Sequence, residues 1–592
     1  MKEGNSPKKE DPQKHNKVEG RTHTMEEQRR RSYDMKRHSI LSETLVSHAL
    51  REVVSDHIMA GPHGALQPVT SLSSMQLRES QRSGSRHTVL ALSLADVQLP
   101  VLFEDAIIET SHGCFQYKLM ALCGFIYSCC SLSTTTLSFV LPAAQYDFKL
   151  TSIDKGVLNT APLFGMVAGA YIWGNFADNK GRRFVLLYSL LIDAFAAFSS
   201  SFCQTFTLFF ICRVFNGFGI IGATSIVFAY LGEFLNVSKR DRYLSRLELF
   251  WTFGIIALPV IGFAILPRDW EIGNNVFSFN SWRIFVFACG IPSFIAAVLI
   301  ALMPESPRFL YFKGYYEKTK DVLVRMYKSN TGKTREDFPV QVLYTDGDEE
   351  HHLKHGASRW VKVKHVIKGI LKQHKILFKG HSLFNIIITC FIDFGLMSVY
   401  YTFMLWVPEL LHRHARYLEA HSAESAFICT AVKEPESLQG DDEKVDYHTL
   451  IHTFIICFAC LPSNFMLLCL IQFVSKKALL VTFLVGAAGP TFALYFMDTE
   501  FKLTTMLCLF EAIATLVEAI LFCAIVEIFP LSTRGSALSL TVTVGRLGAI
   551  LGNIVFGLSL ETHCRELFFS MSGLLLFSGL AALLLPKMSG GH

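Results

Sequence analysis

From residue 119 onward the chain alternates between long apolar runs and short polar ones. Runs long enough to cross a bilayer lie near 119–141, 157–177, 183–203, 207–231, 244–266 and 283–303, then near 384–411, 449–472, 478–497, 503–526, 536–558 and 566–586. Each holds about 20 residues with few charges, the length an α-helix needs to span about 30 Å of hydrocarbon. Lipid offers the backbone no hydrogen-bond partner, so such runs fold as helices. The pattern predicts an all-α membrane protein of twelve transmembrane helices, six before a polar gap and six after it. The predicted organisation is an N-terminal tail over 1–117, a six-helix half over 118–303, a central connection over 304–383 and a second six-helix half over 384–592.

Composition agrees with this pattern and charge orients it. The 592 residues are 51% hydrophobic and 18% charged, too apolar for an ordinary water-soluble enzyme. Lys118, the groups Lys180/Arg182/Arg183 and Lys239/Arg240/Arg242, Lys476/Lys477 and Arg534 fall in alternate loops, and the central connection is also basic. The positive-inside tendency makes that face cytosolic, with both termini. The net charge of +5 is therefore a topology signal and not a nucleic-acid footprint. The start of the chain lacks the pattern of a signal peptide. Residues 1–40 have the composition of a disordered segment, and Arg29 to Arg31 with Lys36 and Arg37 suit either anionic lipid or solvent. The outer loop at 412–448 is acidic at Glu434, Glu436, Asp441, Asp442 and Glu443 and carries no Asn-x-Ser/Thr acceptor. Most of the 15 cysteines lie in apolar runs without zinc spacing, so no metal or cofactor is expected. Cys203 and Cys429 fall on the predicted outer side, and nothing in the spacing says that they meet.

Three loop motifs carry candidate chemistry. After the second run stands Gly174-Asn175-Phe176-Ala177-Asp178-Asn179-Lys180-Gly181-Arg182-Arg183. Gly174 permits close helix approach, Asp178 can accept charge-assisted hydrogen bonds, and Gly181 suits a tight turn before two cations. Glu233 precedes Arg240 at the inner end of the fourth run, and Glu527 precedes Arg534 and Gly535 at the inner end of the tenth, each by seven residues. Equal spacing at the same point of both halves argues for internal duplication, a known transporter construction. Glu305 and Arg308, in Pro304-Glu305-Ser306-Pro307-Arg308, add a third acid/base pair. Together these groups form a candidate cytoplasmic gate. One exposed pair contributes only about 0–1 kcal/mol, but several at one interface can bias two states.

With Arg213-Val214-Phe215-Asn216-Gly217, these blocks resemble the major facilitator superfamily in its sugar and organic-ion porter branch. Phe103-Glu104-Asp105-Ala106, Phe115-Gln116-Tyr117-Lys118-Leu119 and the stretch from Ile226 to Leu235 are similar to the synaptic-vesicle glycoprotein 2 group and its related proteins. The resemblance covers about 103–586. It implies the major facilitator fold, two pseudo-repeated six-helix halves rocking about a mid-membrane site, with spans 1, 4, 7 and 10 lining the cavity. This chain departs from the pattern at three places. Gln472 and Ser475 replace the acid and glycine of the second-half copy of the first motif, so that latch reads as degenerate. Cys130-Ser131-Leu132-Ser133-Thr134 stands where the vesicle proteins carry acids in the first span, and their large outer loop is missing. The twelfth span ends in Pro586-Lys587 without the family's Glu/Arg continuation.

Charges inside the runs are the sharpest site candidates, because an ionisable side chain at mid-bilayer costs several kcal/mol unless it faces a cavity or a partner. A rise of about 1.5 Å per residue puts Asp393, Glu518 and Arg546 near mid-depth of spans 7, 10 and 11. Glu518 and Arg546 are expected to coordinate solute or gate it, with Asp393 free for a proton or cation. A permanently paired set that only fixes helix packing is the alternative. Arg213, Trp251, Tyr400, Tyr401 and Glu511 are further cavity candidates, the aromatics for stacking on a flat or cationic solute. Asp193 is expected to hydrogen-bond a neighbouring helix, and Arg246 and Glu248, two apart, to point to different faces. No phosphate-cradling loop or nucleophile motif occurs. The expected function is alternating-access transport of a small organic ion or sugar-like solute, by a monomer in a plasma or vesicle membrane, with a proton or other cation as candidate coupling ion. The runner-up is a transporter-like sensor or binding protein that no longer transports.

Overall fold

The computed structural model describes residues 103–268, 270–274, 277–340, 343, 378, 380–421, 425–433, 447–470 and 473–586. The basic cluster at 29–37, most of the central connection, the acidic residues between 434 and 443, Gln472 and Lys587 lie outside the described residues.

The apolar runs become helices. The first half comprises α1 Phe103–Glu109, α2 Cys114–Phe148, α3 Ser152–Lys180, α4 Arg182–Ser201, α5 Phe206–Glu233, α6 Val237–Leu247, α7 Leu249–Ile265 and α8 Ser281–Ala301. A short antiparallel hairpin, β1 Glu271–Asn274 with β2 Phe277–Asn280, precedes α8. The connection contributes α9 Pro307–Phe312 and α10 Tyr316–Thr331. The second half comprises α11 Gly380–Ala420, α12 Ile428–Lys433, α13 Tyr447–Leu470, α14 Lys476–Ala493, α15 Glu500–Ile528, α16 Leu531–Ser559 and α17 Cys564–Ala582.

Among the described residues eleven helices are long and apolar enough to cross a membrane. The expected second span, α3, is a full helix outside that set, because Lys155, Asn159, Asn175, Asp178 and Asn179 lower its hydropathy. Lys155 and Asn159 are fully buried, and α3 packs between α5 and α16, so its polar positions face protein. Thr151 and Asp154 form a capping box at its start, each accepting from the other's backbone N–H.

Within the first half α4 packs on α5 and α8, α3 on α5, and α2 on α7. Within the second, α11 packs on α16, α14 on α15 and α17, and α13 on α15. The halves meet through α3 with α16, α7 with α13, and α2 with α11. At the first of these seams a Cβ on Gly156 would stand 2.7 Å from the Asn553 carbonyl oxygen, and one on Gly557 would stand 2.6 Å from that of Ser152. Only glycine permits that approach.

The stretch before the first span is structured. The helix α2 begins at Cys114, inside the segment assigned to the tail, and α1 docks on the connection helices. Phe103 stacks on Tyr311 with ring centroids 4.9 Å apart, and Glu104 pairs with Arg308. Asn330 of α10 accepts from the Phe115 N–H at 2.9 Å and donates to the Thr110 and Ser111 carbonyls at 3.1 Å. Cys429 of α12 is disulfide-bonded to Cys564 at the start of α17, whereas Cys203 has its Sγ 3.8 Å from that of Cys212.

Candidate functional site

The loop motifs gather at one end of the bundle. Arg182 donates from Nε to Glu233 at 3.0 Å and lies 3.5 Å from Asp178. The Glu305 carboxylate accepts the backbone N–H groups of Arg182 at 2.9 Å and of Arg183 and Ser306 at 3.0 and 2.9 Å, so it caps the start of α4. Gly181 makes this possible, since its φ is +109° and a Cβ there would stand 2.2 Å from that carboxylate. Arg183 donates to the Ala301 carbonyl and ties α4 to α8.

Several expectations at this end need correction. Arg240 does not pair with Glu233. The chain turns between α5 and α6 so that its guanidinium instead meets the Gly232 and Leu235 carbonyls at 3.0 and 3.4 Å and closes the last turn of α5. Arg308 pairs with Glu104 instead of Glu305, whose carboxylate is occupied by the α4 cap. Nothing lies within 4 Å of a Cβ placed on Gly174, so close helix approach is not its role in this structure. In the second half, of the two substituted positions Ser475 is described. Ser475 caps α14 through the Ala478 N–H, and Lys476 pairs with Glu527 at 2.8 Å, as Arg182 does with Glu233. The Nε of Arg534 is buried without a hydrogen-bond partner.

Midway along the bundle the structure gathers groups from both halves. Asp393 of α11 is buried, its Oδ1 without a hydrogen-bond partner, and lies within Coulombic range of Glu518 on α15 and Arg546 on α16. Glu518 and Arg546 lie within Coulombic range of each other. Arg546 donates to the Tyr401 hydroxyl, its guanidinium 4.9 Å from that ring's centroid. From the first half, Tyr127 donates to Glu248 at 3.2 Å, and both come within Coulombic range of Glu518. Trp251 stands 5.2 Å from the Tyr127 ring.

Sequence reasoning did not assign Glu248 or Tyr127 to this group. The available signal was an acid at the edge of an apolar run. Glu248 interrupts the fifth span between α6 and α7, and Ser128 and Ser131 donate at 2.6 Å to the Phe250 and Trp251 carbonyls just beyond the break. Tyr400 is buried with its ring 5.5 Å from Tyr401, and Glu511 is buried farther along α15. Arg213 stands apart from the cluster. It is buried under the Phe209 ring and donates to Ser200 at 2.6 Å, tying α5 to α4. Asp193 accepts from Ser133 at 2.7 Å and Asn216 at 2.5 Å, so it links α2, α4 and α5.

The opposite end carries a network that sequence reasoning missed. Lys155 of α3 and Glu409 of α11 are 2.5 Å apart and fully buried, and Arg413 pairs with Glu409 at 2.7 Å. Arg413 also reaches Glu561 at 3.2 Å and Ser152 at 2.9 Å, and Arg416 donates to Tyr146. These contacts join the two halves. At the motif end, Arg182 with Asp178 and Glu233, and Lys476 with Glu527, each pair within one half, and Glu104 with Arg308 joins α1 to α9 of the connection.

The Major Facilitator Superfamily model matches residues 123–430, just over half of the chain. Synaptic vesicle glycoprotein 2B of Homo sapiens is 33% identical over 327 residues, so the match spans 48% of that relative's length. Synaptic vesicle glycoprotein 2C of Mus musculus is 25% identical over 83% of this chain and 81% of its own. Among solved structures, the xylose transporter XylE from E. coli in an inward-open conformation superposes with a TM-score of 0.57 at 16% identity, over 80% of this chain and 97% of that one. That likeness concerns the fold. A family model covering this much of a chain built as two helical bundles around a shared seam places it: this multi-pass membrane protein belongs to the major facilitator superfamily.

Proposed function

We propose that the chain moves a small organic solute across its membrane by alternating access, at a site where Asp393, Tyr401, Glu518 and Arg546 face Tyr127, Glu248 and Trp251. The observation that carries this reading is the distribution of ties across the seam. Buried charges hold the halves together at the far end, whereas among the described residues the pairs of Arg182 with Glu233 and of Lys476 with Glu527 each lie within one half. Such a molecule opens its central site toward the motif end, which the Lys/Arg bias makes cytoplasmic. To reach the other state, Lys155 must leave Glu409, and solute or new motif-end contacts must offset that loss through differential affinity.

Glu518 and Arg546 present a carboxylate and a guanidinium together and suit a solute with both donors and acceptors. Asp393, with one oxygen unpartnered, is the candidate for a coupling proton or cation. Similarity to vesicle glycoproteins supports a vesicle membrane as its location. The test is uptake by purified protein in proteoliposomes across a panel of organic ions and sugars. Once a transported solute is found, Glu518→Gln and Asp393→Asn should each lower flux by about tenfold or more, the cost of one charge-assisted contact. Normal flux in both correctly inserted variants would remove the cluster from the mechanism, and selective binding without flux would identify a sensor.

A further inference from the structure

About two turns along α15 from Glu518, Glu511 lines a second, narrow cavity that both halves build, with about 30 Å³ of room for water in this state. Thr135 and Ser138 come from α2, Ile255 from α7, Met404 from α11, and Thr453 and Cys460 from α13. The Glu511 side chain is buried, its Oε1 has no hydrogen-bond partner, and among the described residues no basic side chain lies within its Coulombic range.

The hydroxyls of the lining are already committed as donors. Thr135 donates to the Ser131 carbonyl at 2.9 Å, Ser138 to Thr135 at 2.7 Å and Thr453 to Thr449 at 2.8 Å. The Cys460 thiol points at the Ile456 carbonyl. What these hydroxyls can offer the chamber is lone pairs. The cavity thus combines apolar walls, several acceptors and one uncompensated carboxylate. An anion would meet repulsion there, and a sugar would find few donors for its own oxygens. A buried carboxylate without a partner is costly, and a cation that supplies N–H donors relieves that cost.

We propose that this cavity, widened as the two halves move apart, is a subsite for a small protonated amine with an apolar body, its ammonium donating to Glu511. The assignment rests on the transport reading only for what becomes of the bound amine. The seal formed by Lys155, Glu409 and Arg413 lies farther along α11 toward the far end, beyond the chamber's Met404. An amine entering from the motif end therefore passes the Glu518 cluster first and meets Glu511 second.

Equilibrium binding of benzylamine, charged at pH 7, is compared with that of benzyl alcohol and benzoate on the purified full chain in nanodiscs. Benzylamine should bind and the two isosteres should not, and Glu511→Gln should weaken benzylamine by about tenfold or more, with Glu511→Asp retaining part of the affinity. Equal binding of benzyl alcohol, or unchanged binding to Glu511→Gln, overturns the proposal. So does a Glu511→Gln variant that loses only the pH dependence of uptake, which would make Glu511 a proton carrier. The glutamine variant should melt no lower than the parent in the absence of ligand, because it replaces an unpartnered buried carboxyl with a neutral amide of the same shape. If it fails to fold, the aspartate variant decides, since undiminished affinity there also overturns the proposal. Binding is read without flux, so selective binding in a protein that moves no solute would overturn transport and leave the subsite standing.

Discussion

Lys155 and Glu409 are both fully buried and 2.5 Å apart, and Arg413 shares the same carboxylate. Removing one partner of a buried pair costs about 3–5 kcal/mol, because the other is left uncompensated. Here Arg413 stays with Glu409, so Lys155→Met should weaken the far-end seal without unfolding the protein. An impermeant thiol reagent added on that face should then reach Cys457, in the Glu511 chamber, at least about tenfold faster, as judged by peptide mass spectrometry. Unchanged labelling would show that the pair does not hold the seal. Individual residues were legible where helix geometry converts position into depth, and that alone put Asp393, Glu518 and Arg546 at one level. Which neighbour a residue meets was not legible. Glu248 joins Glu518 across the seam, and Lys155 finds Glu409 on a helix from the other half, through packing that no local spacing encodes.

At the scale of elements, α1 and its clip explain a pattern that the sequence showed without a reason. The Phe103 to Ala106 and Phe115 to Leu119 segments, which carry the resemblance to vesicle glycoproteins, supply the stacking on Tyr311, the pair with Arg308 and the N–H held by Asn330. His112, between α1 and α2, meets the Tyr243 hydroxyl at 2.7 Å, and burial, then the nearby Lys239, lower its pKa from the ordinary 6.5. A depressed histidine pKa means that the released segment binds a proton more readily than the docked one. Docking is therefore favoured above pH 6.5 and weakens as pH falls below it toward the docked-state value. Limited cleavage after Glu109 by the glutamate-specific protease Glu-C should accelerate over that interval, and His112→Phe should abolish the pH step. A parent protein whose cleavage shows no such step would remove His112 from the docking energetics. Here too spacing gave only proximity. The seven-residue spacing of Glu233 and Arg240 brings the acid and base to the same turn, but the path of the chain there decides that Arg240 closes a helix end.

Across the whole molecule the repeat is visible in chemistry as well as shape. Arg182 with Glu233 and Lys476 with Glu527 occupy equivalent places in the two halves, although only the first is embedded in the full glycine-and-acid motif. Pairing has thus outlived the sequence pattern, which is why the second latch looked degenerate when read from residues alone. The seam between the halves is set by contacts as close as Gly156 against Asn553. A methyl group in Gly156→Ala would stand 2.7 Å from that carbonyl oxygen and force α3 and α16 apart. The far end should then open, with faster labelling of Cys457 from that face and slower labelling from the other. Equal rates on both faces in mutant and parent would mean that the seam does not couple the two ends.

The bond between Cys429 and Cys564 has a consequence for the living cell. Thiols are kept reduced in cytosol and oxidised in the secretory lumen and outside the cell. A covalent link at the end opposite the basic loops therefore acts as a compass, written in redox chemistry instead of charge. It predicts the same orientation as the distribution of lysine and arginine, with the sealed end toward the oxidising compartment.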